Sequence, residues 1–151
     1  GAEDENDIEK FMQAEGFELD FLTGRGRPTN ENTSPNGIRS VNDLRFAYKR
    51  WPEQLPLALY LLKMAFGNGN AKRVPCELRN GQIVRLLSMF LAESGYCSRA
   101  STRTLAETIK ERQISIAEKW SSIRGNGYSR YTEMISWIRA NLGGTTMRIA
   151  A

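Results

Sequence analysis

The sequence predicts an all-α protein, a compact bundle of about six helices. Three observations carry that prediction. Apolar residues recur at three- and four-residue spacing in successive segments between residues 40 and 144. Pro52 and the Gly-Asn strings at 67–70 and 125–127 separate those segments. Ser40-x-x-Asp43, Thr104-x-x-Glu107 and Ser115-x-x-Glu118 stand where helix-start patterns belong.

Residues 1–39 read as an acidic arm followed by a linker. Ile8, Phe11 and Met12 have the spacing of a short amphipathic helix. Thr23 to Ser40 is rich in Gly, Pro, Asn, Thr and Ser, which is linker composition. A single helical domain is expected over 40–144, with 145–151 as a tail. Its first helix is placed at about 41–51, with Ser40 capping it, Asp43 at the positive end of its dipole and Pro52 stopping it. The second, about 54–66, is apolar nearly all round and should be central. Residues 73–78 read as a short strand, or else as the approach to a helix of about 81–94 that Asn80 caps and Gly95 ends; the helix is preferred. Capping boxes place two more helices at about 104–111 and 116–124, and Ser129 would cap a last one at about 130–142. No repeat and no long heptad run appears.

The chain has 151 residues, a size usual for one domain. Its 21 Lys plus Arg stand against 17 Asp plus Glu, and it contains no His. Without imidazole, Ser-His-Asp and Cys-His hydrolase arrangements and His-bearing zinc motifs are excluded. Two cysteines, Cys76 and Cys97, are too few for a zinc cluster or a disulfide framework and read as free thiols. A mean hydropathy of −0.47 and the absence of a long apolar run exclude a transmembrane helix. The N-terminus is acidic, unlike a signal peptide, and the expected location is intracellular. The chain begins Gly1-Ala2 without an initiator Met, which reads as a cleavage scar or a fragment. No paired carboxylates or phosphate-loop ending stand out, so no catalysis, cofactor or metal is expected.

The charge is split rather than spread. Residues 1–20 carry eight acids and one base, net −7; the remainder carries 20 bases and nine acids, net +11. A basic body attracts polyanions, and nucleic acid becomes the expected partner class, DNA ahead of RNA. The acidic arm could lie on the body and compete with that partner.

Thr104 to Ala117 has the pattern of two consecutive helices with a small residue, Ala106, between inward apolar positions Leu105, Ile109, Ile114, Ile116, Trp120 and Ile123. The segment looks like a degenerate helix-turn-helix, with Lys110 and Glu111 where the turn usually has Gly. That resemblance implies that Lys119, Ser122 and Arg124 face base edges, with Arg99, Arg103, Lys110, Arg112 and Arg130 on phosphates. Ordinary packing of two amphipathic helices gives much the same pattern. In the linker, Gly24-Arg25-Gly26-Arg27-Pro28 resembles the core of an AT-hook and the minor-groove arms of recombinases, which would put Arg25 and Arg27 in a narrow groove; a flexible basic linker is the simpler reading. Phe46, Tyr48, Trp51 and Tyr60 alternate with basic residues, but at helical spacing most of these rings are assigned to the core. Tyr128 and Tyr131 are expected to be exposed stacking rings. The expected role is a regulator or an accessory or packaging factor. Alternatives are an RNA-coating nucleocapsid-type protein and a protein–protein adaptor using the acidic arm. Homo-oligomerisation stays open.

Overall fold

The computed structural model describes residues 35–66, 76–78, 81–96, 98–125 and 127–142, with side chains described within 43–65, 77–78, 81–96, 98–125 and 127–142. The expected amphipathic helix around Ile8 and the basic pentapeptide at 24–28 lie outside these residues. Six α-helices and one 3-10 turn, with no strand, make up the described residues. They are α1 (Pro35–Arg50), α2 (Gln54–Phe66), α3 (Gly81–Ser94), α4 (Arg99–Glu111), α5 (Gln113–Ser122) and α6 (Tyr128–Asn141), with the 3-10 turn at Cys76–Leu78 between α2 and α3. The protein is all-α, as its periodicity predicts. No helix among the described residues is long and apolar enough to cross a membrane.

Several helix starts differ from the sequence reading. α1 begins at Pro35, inside the segment read as linker. Proline suits a first helical turn because its missing N–H has no intrahelical partner there. Asp43 consequently sits mid-helix, where it is buried and accepts a hydrogen bond from Arg85 Nη1 at 3.3 Å. α1 ends before Pro52 as expected, and Trp51 N–H still reaches the Ala47 carbonyl at 2.8 Å. α2 matches its predicted bounds. The described part of the segment read as a possible strand is the 3-10 turn, which buries Leu78.

α3 is the most enclosed element. Nine of its residues are buried, from Gly81 to Leu91, including Ser88, whose hydroxyl donates to the Val84 carbonyl at 2.8 Å. Its C-terminus forms a Schellman-type end: Gly95 takes a φ of 77°, and Tyr96 N–H returns to the Leu91 carbonyl at 3.0 Å. The hydrophobic contact that accompanies this motif is present too, with Tyr96 buried against Phe90 at a ring separation of 6.0 Å. α1 and α2 pack along α3, and α4 packs on α2; α5 touches α4, α6 and the 3-10 turn.

α4 starts at Arg99, not near Thr104. Ser98 caps it by accepting from Ser101 N–H at 3.2 Å. Thr104 is therefore interior, and its predicted capping box with Glu107 does not form a helix end. Ser115 likewise fails as a cap, because α5 already runs from Gln113, and Ser129 lies within the first turn of α6, whose N-cap is Gly127. A capping-box pattern alone does not terminate a helix when buried residues on both sides continue the same stripe. Here Thr102, Leu105, Ala106 and Ile109 form one unbroken inner face.

Candidate nucleic-acid interface

α4 and α5 meet at one residue, Arg112, which ends the first helix and starts the second. Its N–H donates to the Thr108 carbonyl at 3.0 Å, and its own carbonyl accepts from Ile116 N–H at 2.9 Å. A three- or four-residue turn of the helix-turn-helix kind is absent from this joint. The inner faces nevertheless agree with the predicted stripe: Leu105, Ala106, Ile109, Ile116, Trp120 and Ile123 are buried. Ile114 is the exception. It is 66% exposed, which corrects its assignment to the core. Placing α5's first residue at Gln113 rotates Ile114 onto the outer face, together with Glu118, Ser121 and Ser122.

That outer face does not present the base-reading set. Lys119 sits on the flank, with Nζ 3.4 Å from Glu133 Oε2 of α6. The Ser122 hydroxyl donates to the Lys119 carbonyl at 2.7 Å. Arg124 lies beyond the helix, exposed on the corner before Gly125. Lys119, Ser122 and Arg124 are thus separated between a flank, an outer face and a loop.

The phosphate-directed residues divide more sharply. Arg99, Arg103 and Lys110 are exposed along α4. Spaced at i, i+4 and i+11, they fall within about 40° of one another around the helix axis. Arg112 is exposed at the joint but about 200° around the axis from Lys110, and Glu107 stands at the edge of the stripe. The Arg99 guanidinium lies 4.9 Å from the Tyr60 ring centroid, which ties one end of this stripe to α2.

Arg130 has a different environment. Its guanidinium stacks on Trp120 at 3.7 Å, and Nη2 donates to the Trp120 carbonyl at 2.8 Å. Burial lowers its pKa below the ordinary arginine value, with Tyr131 pulling the other way. It clamps α6 to α5 and is not presented as a phosphate ligand, a correction to its sequence-based role. Trp120 and Tyr131 pack together at 5.5 Å, and Tyr131 is buried. Tyr131 is therefore core, not a stacking ring. Its phenol is pushed up to about 12, first by burial and then by the nearby Asp43 charge. Tyr128 is 65% exposed, as the sequence reading had it.

Two aromatic residues of α1 are exposed on different sides of that helix. Phe46 and Tyr48 are each 42% exposed, not core, and Lys49 and Arg50 beside them are exposed. For Phe46 the signal was available in the spacing: Leu44, Ala47 and Trp51 define the inner stripe at i, i+3 and i+7, and residue 46 falls on the opposite side. Tyr48, at i+4 from Leu44, is exposed although the spacing places it beside that stripe. Arg85 of α3 lies between Phe46, at 3.8 Å, and Tyr131, at 4.6 Å, while paired with Asp43. Sequence reasoning missed this cluster, because its members come from α1, α3 and α6. Arg25 and Arg27 lie outside the described residues.

Comparison with known protein families, curated proteins and solved structures finds no match to this chain.

Proposed function

We propose that this protein binds nucleic acid without catalysing a reaction on it, DNA ahead of RNA, as a regulator or an accessory or packaging factor. The supporting observation is the cationic stripe Arg99, Arg103 and Lys110 on α4. Fixed on one helix flank, these side chains meet successive phosphates without reorganising, and binding rests on release of condensed counterions. The neutral-to-acidic outer face of α5 favours contact with the backbone over reading of base edges.

Titrating labelled duplex DNA, single-stranded DNA and single-stranded RNA by fluorescence anisotropy tests the reading. Affinity should fall about 10-fold or more between about 50 mM and about 200 mM salt. Arg103→Glu with Lys110→Glu should weaken every nucleic acid uniformly. Absence of binding to all three at low salt overturns the proposal.

A second reading, single-strand coating of the nucleocapsid kind, draws on α1. Exposed Tyr48 stands beside exposed Lys49 and Arg50, a pattern suited to a base stacking on a ring while phosphates meet cations. A preference for single strands that Tyr48→Ala abolishes would favour it over duplex binding.

A further inference from the structure

The cationic flank of α4 adjoins α2, and the two helices meet there at a ring. α4 packs on α2, and the Arg99 guanidinium lies 4.9 Å from the Tyr60 ring centroid. Arg85 and Arg130 also lie over rings, but both are half-buried: Arg85 is paired with Asp43, and Arg130 donates to the Trp120 carbonyl. Arg99 is exposed and Tyr60 is half-buried, so this pair reaches solvent. Each helix carries a further cation within one turn of it. Exposed Arg103 lies about 6 Å along α4 from Arg99, and half-buried Lys63 about 4.5 Å along α2 from Tyr60. Met64, 43% exposed, stands on the same side of α2, about 40° from Tyr60 around the axis. Neither residues 56–64 nor residues 95–103 include an acid, and Glu107 stands about two turns along α4 from Arg99.

From this geometry we infer that the seam between α2 and α4 takes single-stranded nucleic acid. One base stacks against the Tyr60–Arg99 pair, while Arg103 and Lys63 meet neighbouring phosphates. A ring and a planar guanidinium both offer a flat surface to a base, and the cations around them match the charge of the strand. A duplex uses the pair less well, because its bases already cover one another's faces. Every base has a π-face, so the site tolerates sequence and takes DNA or RNA strands alike. The inference rests on the nucleic-acid reading proposed above and adds to it the form of the strand and the ring that holds a base.

Fluorescence anisotropy on the full chain with three labelled ligands tests it: oligothymidylate, an abasic strand of the same length, and a duplex. The abasic strand keeps the phosphates and removes the bases. Wild type should bind oligothymidylate about 10-fold more tightly than the abasic strand at one salt concentration. Tyr60→Leu should erase that preference and Tyr60→Phe should keep it, with affinity for the abasic strand and the duplex unchanged in both. Arg99→Lys keeps the charge but loses the planar group, and should reduce the preference in the same selective way. Should Tyr60→Leu weaken all three ligands together through a loss of fold, Arg99→Lys decides, because Arg99 is exposed. Equal affinity for oligothymidylate and the abasic strand overturns the inference while nucleic-acid binding stands. A preference that survives both Tyr60→Leu and Arg99→Lys overturns it as well. Absence of binding to all three ligands overturns both readings together.

Discussion

α4 and α5 share one joint and one core, yet their outer faces have little in common. α4 turns Arg99, Arg103 and Lys110 outward on a single flank; α5 turns out Ile114, Glu118, Ser121 and Ser122. Inner faces are chosen by packing, which both helices satisfy with the same residue classes, while outer faces are free to differ. A pattern of inward apolar positions over two consecutive helices therefore identifies a packed pair and leaves open which of the two meets a ligand. The same contrast holds for the arginines. Arg85 lies between Phe46 and buried Tyr131 and Arg130 lies over buried Trp120, whereas Arg103 and Arg112 are exposed to solvent.

The largest expected effect tests the shared core. Trp120→Ala empties the inner face of α5 and should cost about 3–5 kcal/mol, whereas Ile114→Ser on its outer face should stay within about 0.5 kcal/mol, both read by denaturant unfolding. Equal costs would break the inner–outer distinction. Next comes the Asp43–Arg85 pair. Arg85→Ala removes a half-buried cation from buried Asp43 and from the Phe46 and Tyr131 rings and should cost about 2 kcal/mol, against about 0.5 kcal/mol or less for Arg103→Ala.

An alkaline titration probes the same cluster. Tyr131 has its folded pKa raised from 10.0 to about 12, so the folded state holds its proton more tightly than the unfolded state. The associated stability is fully present below pH 10 and is lost as pH rises through the folded value. A decline of about 2–3 kcal/mol between those limits follows, absent in Tyr131→Phe. Tyr96, raised by burial as well, contributes in the same direction.

A smaller effect concerns the cationic flank. Arg103→Glu with Lys110→Glu should lower nucleic-acid affinity about 10-fold and reduce the magnitude of the salt slope by about 2, while Glu118→Gln leaves both nearly unchanged. The smallest is local. Gly125→Ala meets no atom within 4 Å but must adopt a φ of 94°, which should cost about 1 kcal/mol in thermal unfolding.

Much of the fold is legible in the residues. α2 and α3 fall at their predicted bounds, because Pro52 and Gly95 are punctuation that acts through the backbone alone. Most of the shared stripe from Leu105 to Ile123 is legible for a similar reason: a helix of 3.6 residues per turn fixes which positions face one way. The candidate site is less so. Thr104, Ser115 and Ser129 carry the right chemistry for caps, but each lies inside a helix that has already started; for Thr104 the buried face continues past it to Thr102. Ile114 shows how a shift in a helix start carries a residue from the core side to the solvent side.

By itself the sequence determined the helical class, the exclusion of histidine chemistry and the separation of charge between an acidic N-terminus and a basic remainder. These depend on composition and on local spacing. Only the tertiary structure decided how the cations are disposed. Arg99, Arg103, Lys110 and Arg130 are equivalent as charges in the chain. Three of them stand on an exposed flank, while the fourth lies over Trp120, because α6 packs against α5 and brings that indole within 3.7 Å of its guanidinium.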